Sequence, residues 1–242
     1  MIAPHELRAE FRARGYAVAP GVVNPAAIDL LLERFTGLVR KAGLPSFKDP
    51  RGPVAADLLA AHPDIVARVY DEIRQTPWLA ALAMDPGITA LIGEIIQRPF
   101  GLLRKLPFRI DVPRETKEIA VWHQDYFYVR GSRQTITAWI PLQDTSYLNG
   151  CLLIMPGSHE LGPLGHDGHA LGKRHFPTAI FGREVRYIEL RLGDALFFDA
   201  CLLHSSGVNL SPVVRYSLNA RFAPLDGEHD PGMGGILPIE AP

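Results

Sequence analysis

The chain has 242 residues, 25 basic and 26 acidic, for a formal charge of −1, so no global field favours nucleic acid or an anionic membrane. Apolar residues at 47% exclude wholesale disorder, and 22 glycines with 21 prolines point to a loop-rich, β-rich body. No apolar run reaches transmembrane length, the N-terminus lacks a secretory core, and two cysteines cannot make a disulfide framework, so a reduced, cytoplasmic setting is expected.

Apolar spacing of three and four predicts helices over LRAEFRARGY and AAIDLLLERFTGLVRKAG. Asn24 is placed to cap the second, Pro25 fits its first turn, and Gly43 with Pro45 marks its stop. The β-branched stretch GYAVAPGVV between them reads as a short strand. A third helix is predicted from Pro63 through IVARVYDEIRQT, and a fourth over ITALIGEIIQ, ending before Pro99. After Phe100 the pattern changes to LLRKLPFRI, IAVWH, TITAWIPL, CLLIM, RYIEL, ALFFD and VVRYSLNARF, separated by turn-forming residues. Seven or eight short strands behind a helical half predict a mainly β fold with flanking α-helices, a sandwich or jelly roll with helices packed on one sheet. No strand–helix alternation supports a doubly wound sheet. The expectation is one domain over 1–242: a helical part (1–100), a jelly-roll core (101–223) with loop 156–184 as a lid, and a tail (224–242).

Two His-x-Asp matches occur. His62-Pro63-Asp64 sits where a helix starts, and residues two apart on a helix do not face each other, so this pair reads as structural. His123-Gln124-Asp125 ends the strand-like run IAVWH, where residues two apart point to one side and can reach one ion. Two histidines and a carboxylate on one face of a metal is the arrangement expected for non-haem Fe(II) with open positions. The second histidine must come from His159, His166, His169, His175, His204 or His229. His204 is favoured because it follows GDALFFDACLLH, a strand-like element able to hold a ligand rigidly. The competing reading of His204 is a core histidine with a satisfied hydrogen bond.

Arg215 adds a second feature. Alternation in VVRYSLNARF puts Val213, Arg215, Ser217, Asn219 and Arg221 on one face, with Val214, Tyr216, Leu218, Ala220 and Phe222 on the other. The apolar face should pack on helices or a second sheet. An arginine on the barrel side needs an anion, and its fork matches a carboxylate, with Ser217 placed to donate to the same anion. An internal Arg–Asp or Arg–Glu pair is the competing reading.

These residues resemble a known family. WHQDYFYV, TAWIPLQDTSYLNGCLLIMPGSHELG and LLHSSGVNLSPVVRYSLNARF are similar to the phytanoyl-CoA dioxygenase family, as is the opening ELRAEFRARGYAVAPGVVNPAAIDLL, so the resemblance covers most of residues 5–223. It implies a double-stranded β-helix, an Fe(II) cofactor, and 2-oxoglutarate and O2 as cosubstrates. It implies His123, Asp125 and His204 as iron ligands, Arg215 on the distal carboxylate of 2-oxoglutarate, and Trp139 as the aromatic beside it. Lys105 and Arg109 stand where a cosubstrate lysine of some relatives is sought. Asp125 is retained where related halogenases carry a small residue. PGSH, with His159, belongs to the family's fold signature and reads as a turn. Gln124, Tyr126 and Tyr128 are expected on the substrate side, with Phe127 and Arg130 at the pocket mouth. Lys173, Arg174 and Arg183 are candidates to clamp an anionic group, or form a solvated loop. Trp122, Gln124 and Asp199 are near enough in sequence to orient the ligands. The implied activity is hydroxylation of a small molecule coupled to decarboxylation of 2-oxoglutarate to succinate. The alternatives are a metal-dependent cupin enzyme that needs no oxo acid and a non-catalytic, ligand-binding jelly roll.

Overall fold

The structure, a computed structural model, describes residues 3–115, 122–129, 132–164, 183–228, 232 and 234–239. The helical half holds α1 (Pro4–Arg14), α2 (Pro25–Lys41), α3 (Pro53–Ala61), α4 (Pro63–Arg74), α5 (Trp78–Ala83) and α6 (Pro86–Ile96), with β1 (Tyr16–Ala19) between the first two. Local chemistry sets the ends. Asn24 accepts a hydrogen bond from the Ala26 amide at 3.0 Å, Asp85 does the same for Gly87 at 2.8 Å, and proline occupies the first turn of α1, α2, α3, α4 and α6. Gly15 closes α1 at φ 78°, a left-handed conformation that glycine adopts without steric cost. Two short helices, α3 and α5, join the four expected ones.

The remaining strands are β2 (Phe100–Leu103), β3 (Phe108–Asp111), β4 (Ile136–Pro141), β5 (Leu152–Ile154), β6 (Arg186–Ile188), β7 (Ala195–Asp199), β8 (His204–Ser206), β9 (Arg215–Pro224) and β10 (Ile236–Ile239), with a short helix α7 (Tyr126–Val129). They form an antiparallel seven-stranded sheet, β1-β7-β4-β9-β2-β10 with β3 also on β9, and a three-stranded sheet, β6-β5-β8. The run LLRKLPFRI is two strands, broken around Pro107, that pair in succession along one side of β9. Among the described residues, IAVWH contributes only an isolated bridge, His123 to His204. The expected tail contains β10, which pairs with β2 at the sheet edge.

The two faces of the large sheet do different work. Ala138 and Ile140, Phe197, and Tyr216, Leu218, Ala220 and Phe222 face the helices and join their apolar stripes in one core. The opposite face supplies Trp139, Leu196 and Phe198, which meet Leu152, Ile154 and Ile188 of the small sheet. This is the double-stranded β-helix, with helices covering one sheet. The part of the expected lid at 165–182 lies outside the described residues. No described helix is long and apolar enough to cross a membrane.

Candidate metal centre

His123 and His204 are cross-bridge partners: each backbone amide donates to the other's carbonyl, at 2.9 and 3.0 Å. That pairing puts their rings side by side, with centroids 4.1 Å apart. Asp125 follows two residues later, at the turn into α7, where the Tyr126 amide donates to the Ala200 carbonyl at 2.9 Å and fixes the segment. Its Oδ1 lies 3.8 Å from His123 Nε2 and 3.9 Å from His204 Nε2. Two donors that each sit about 2.2 Å from one ion can be no more than about 4.4 Å apart, so this spacing suits a shared ion. Among the described residues these three are the group of such donors close enough to share one, and all are buried.

Hydrogen bonds prepare the donors. His204 Nδ1 lies 3.0 Å from the Leu202 carbonyl, so it carries the proton and leaves the Nε2 lone pair facing Asp125. Burial, opposed by Asp125, depresses the His204 pKa and favours the neutral, ligating imidazole. Burial alone would raise the Asp125 pKa, but Arg221, His204 and His123 override it and hold the carboxyl well below the usual range. The Arg221 guanidinium grips both carboxylate oxygens, Nη2 to Oδ1 at 2.9 Å and Nε to Oδ2 at 3.1 Å, and the Thr137 hydroxyl donates to Oδ2 at 2.6 Å.

PGSH is built into the scaffold of the site. The Ser158 hydroxyl accepts from the Leu203 amide at 2.8 Å, next to His204, and Gly157 adopts φ 74° to make the turn. His159 Nε2 lies 3.2 Å from the Arg12 carbonyl, away from the triad. His62 and Asp64 start α4, where Asp64 is exposed and 3.6 Å from Arg68.

Arg215, Ser217, Asn219 and Arg221 share the barrel face of β9. Arg215 is buried, its Cζ lies 5.8 Å from the centre of the Trp139 ring, and its Nη1 approaches the Ser217 hydroxyl at 3.4 Å. Its Nη2 donates to Asp111 Oδ2 at 2.7 Å, so an internal carboxylate already engages one edge of the fork. Its Nε is buried with no hydrogen-bond partner among the described residues. Asp111, directly opposite on β3, also bonds Arg109 at 2.5 Å.

The other residues expected at the site stand as follows. Gln124 is fully buried and donates to the Gly162 and Cys201 carbonyls at 2.8 and 2.6 Å, while its Oε1 accepts from the Leu164 amide at 2.9 Å. Its amide ties the chain together, and none of these bonds leaves it to meet substrate. Lys105 is exposed on the β2–β3 connection, and Arg109 is the cation sharing a carboxylate with Arg215. Tyr128 is 45% exposed with its ring edge-on to His123 at 5.2 Å, and Tyr126 is partly buried. Arg183 is exposed; Arg130, His166, His169, Lys173, Arg174, His175 and His229 lie outside the described residues. Three residues escaped the sequence reading: Arg221, Thr137 and Asp111. Arg221 stood on the same alternating face as Arg215, but alternation names a face and not the anion met there.

A double-stranded β-helix carrying a buried two-histidine, one-carboxylate donor set defines a class, the jelly-roll proteins with a non-haem metal site. Residues 11–217 match phytanoyl-CoA dioxygenase (PhyH), and the chain belongs to that family. The 1-deoxypentalenic acid 11-beta-hydroxylase of Streptomyces arenae is 36% identical over 129 residues, covering 48% of this chain and 44% of that one. Peroxisomal phytanoyl-CoA dioxygenase of Mus musculus is 28% identical over 149 residues, covering 58% and 41%. The chain thus aligns with less than half the length of these two relatives. The fold matches the epimerase SnoN, solved in complex with Fe3+, alpha ketoglutarate and nogalamycin RO, at TM-score 0.68 and 23% identity over 96% of this chain and 87% of that one.

Proposed function

We propose that the protein is an Fe(II)- and 2-oxoglutarate-dependent dioxygenase that hydroxylates a small molecule, acting as one catalytic domain over residues 1–242. The observation that carries this reading is the convergence of His123, Asp125 and His204 within bonding reach of one ion. The buried, unpartnered Nε of Arg215 on the same barrel supports a carboxylate-bearing cosubstrate. Relatives named for hydroxylation of a small acid support a small-molecule substrate.

In this reading His123, Asp125 and His204 would hold the iron, and a 2-oxo acid and dioxygen would be its exogenous ligands. Bound there, the iron supplies oxidation of a substrate C–H bond, coupled to conversion of 2-oxoglutarate to succinate and carbon dioxide. Arg215 binds the distal carboxylate through the edge that Asp111 leaves open, and Ser217 donates to it. Trp139, buried with its ring beside the Arg215 guanidinium, would shield that carboxylate from water. Leu202 holds the His204 proton at Nδ1 throughout, so Nε2 stays a ligand.

Purified protein with Fe(II) should convert 2-oxoglutarate to succinate, and His204→Ala should abolish conversion. Arg215→Ala should raise the KM for 2-oxoglutarate at least tenfold while Mn(II) binding is retained. Absence of measurable affinity for both Fe(II) and 2-oxoglutarate would sink the reading. The Arg215–Asp111 pair favours a second one, a metal-dependent jelly-roll enzyme without an oxo acid. In that case Arg215→Ala leaves turnover and metal binding unchanged.

A further inference from the structure

We propose that Arg221 and Thr137 are positioning residues that hold Asp125 as a one-oxygen metal ligand, and that together they form a built anion seat inside the barrel. This rests on the metal-triad reading. A carboxylate oxygen has two in-plane lone pairs. Asp125 Oδ2 accepts from both Thr137 Oγ1 and Arg221 Nε, so its capacity is filled. Oδ1 accepts once, from Arg221 Nη2, and its remaining capacity is left for the side where both histidine Nε2 atoms lie. The carboxylate therefore offers an ion one oxygen, and the neighbouring positions stay free for exogenous ligands.

The seat is rigid because its two donors are cross-strand partners, Thr137 of β4 opposite Arg221 of β9. Thr137 is fully buried and Arg221 is 5% exposed, so neither finds bulk water in place of Asp125. A buried guanidinium requires an anion, and here the anion is the ligand itself. Arg221 thus supplies the counter-charge that holds the Asp125 carboxylate aimed before any metal arrives.

Two variants test this. Thr137→Val keeps shape and charge but removes one donor; its affinity for Mn(II), followed by the electron paramagnetic resonance of the free ion, should fall about tenfold. Unchanged affinity would overturn the role of Thr137 and with it the seat. Asp125→Gly leaves both donors facing a vacated space. Millimolar formate should raise the Tm of this metal-free variant and restore its Mn(II) binding, and should do neither in Asp125→Gly/Arg221→Gln. Equal stabilisation of both variants by formate, or of neither, refutes the proposal. If the wild-type chain binds no Mn(II), the metal reading fails, and the metal-free formate arm still decides the seat. If Asp125→Gly does not fold, Thr137→Val decides alone.

Discussion

Gln124 separates what a motif position suggests from what the side chain does. It lies between two residues of the candidate metal site, yet it points into the protein, where three backbone groups from two distant segments use its amide. Removing it leaves those groups buried and unpaired, at about 1–3 kcal/mol each before relaxation. Gln124→Leu should therefore lower stability by about 2–4 kcal/mol in denaturant unfolding, the partial relaxation of neighbours keeping it below the full sum. A small stability loss with a large change in substrate preference would instead return Gln124 to the substrate side. The legible part at this scale was residue type and spacing: His123, Asp125, His204 and Arg215 stand out in combination, although His204 and Arg215 taken singly also fit a core histidine and an internal ion pair. Asp111, Thr137 and Arg221 were not legible, because ordinary polar residues reveal their role only once a partner is in place.

Strand β9 organises the elements. Its alternation sends Tyr216, Leu218, Ala220 and Phe222 to the helices and arginines to the barrel, and a one-residue slip in register would exchange the two sets. The α2 helix locks that register from outside, with Phe35 fully buried against Phe47, Phe108 and Tyr216 at ring distances of 6.0, 5.5 and 5.3 Å. Phe35→Ala should cost about 3–5 kcal/mol. Metal affinity of the folded fraction should stay at the wild-type value, because the cavity opens on the far side of the sheet from the triad. A matching loss of metal affinity at temperatures where the variant is folded would show that α2 positions the site directly. Helices with strong signals, such as Asn24-Pro25 or Pro63, were legible. The short, alanine-rich α3 and α5 lacked a sustained stripe. Polar β8 has only three residues, and β10 sits at the sheet edge, where Pro238 is tolerated and a Gly/Pro-rich sequence hides a strand.

At the scale of the molecule, both thiols report on the integrity of the fold. Burial, with Glu189 near Cys151 and Asp199 near Cys201, pushes each thiol up to about 11. Since the thiolate is the nucleophile, both should react slowly with a disulfide reagent at pH 8 and rapidly once denaturant opens the chain. Fast native labelling of either would mean that its surroundings open well below global unfolding. The helix-then-strand order could be read from the chain alone, because it rests on local periodicity, and family membership followed from the resemblance of its HQD, NGCL and PGSH motifs; His123, Asp125 and His204 could be named as candidate donors by residue type and spacing. Convergence of His204 on the His123–Asp125 pair, the engagement of Arg215 by Asp111 and the grip of Arg221 on Asp125 were decided only by tertiary structure. Each depends on strand register between residues far apart in the chain, and local pattern does not encode which strands meet.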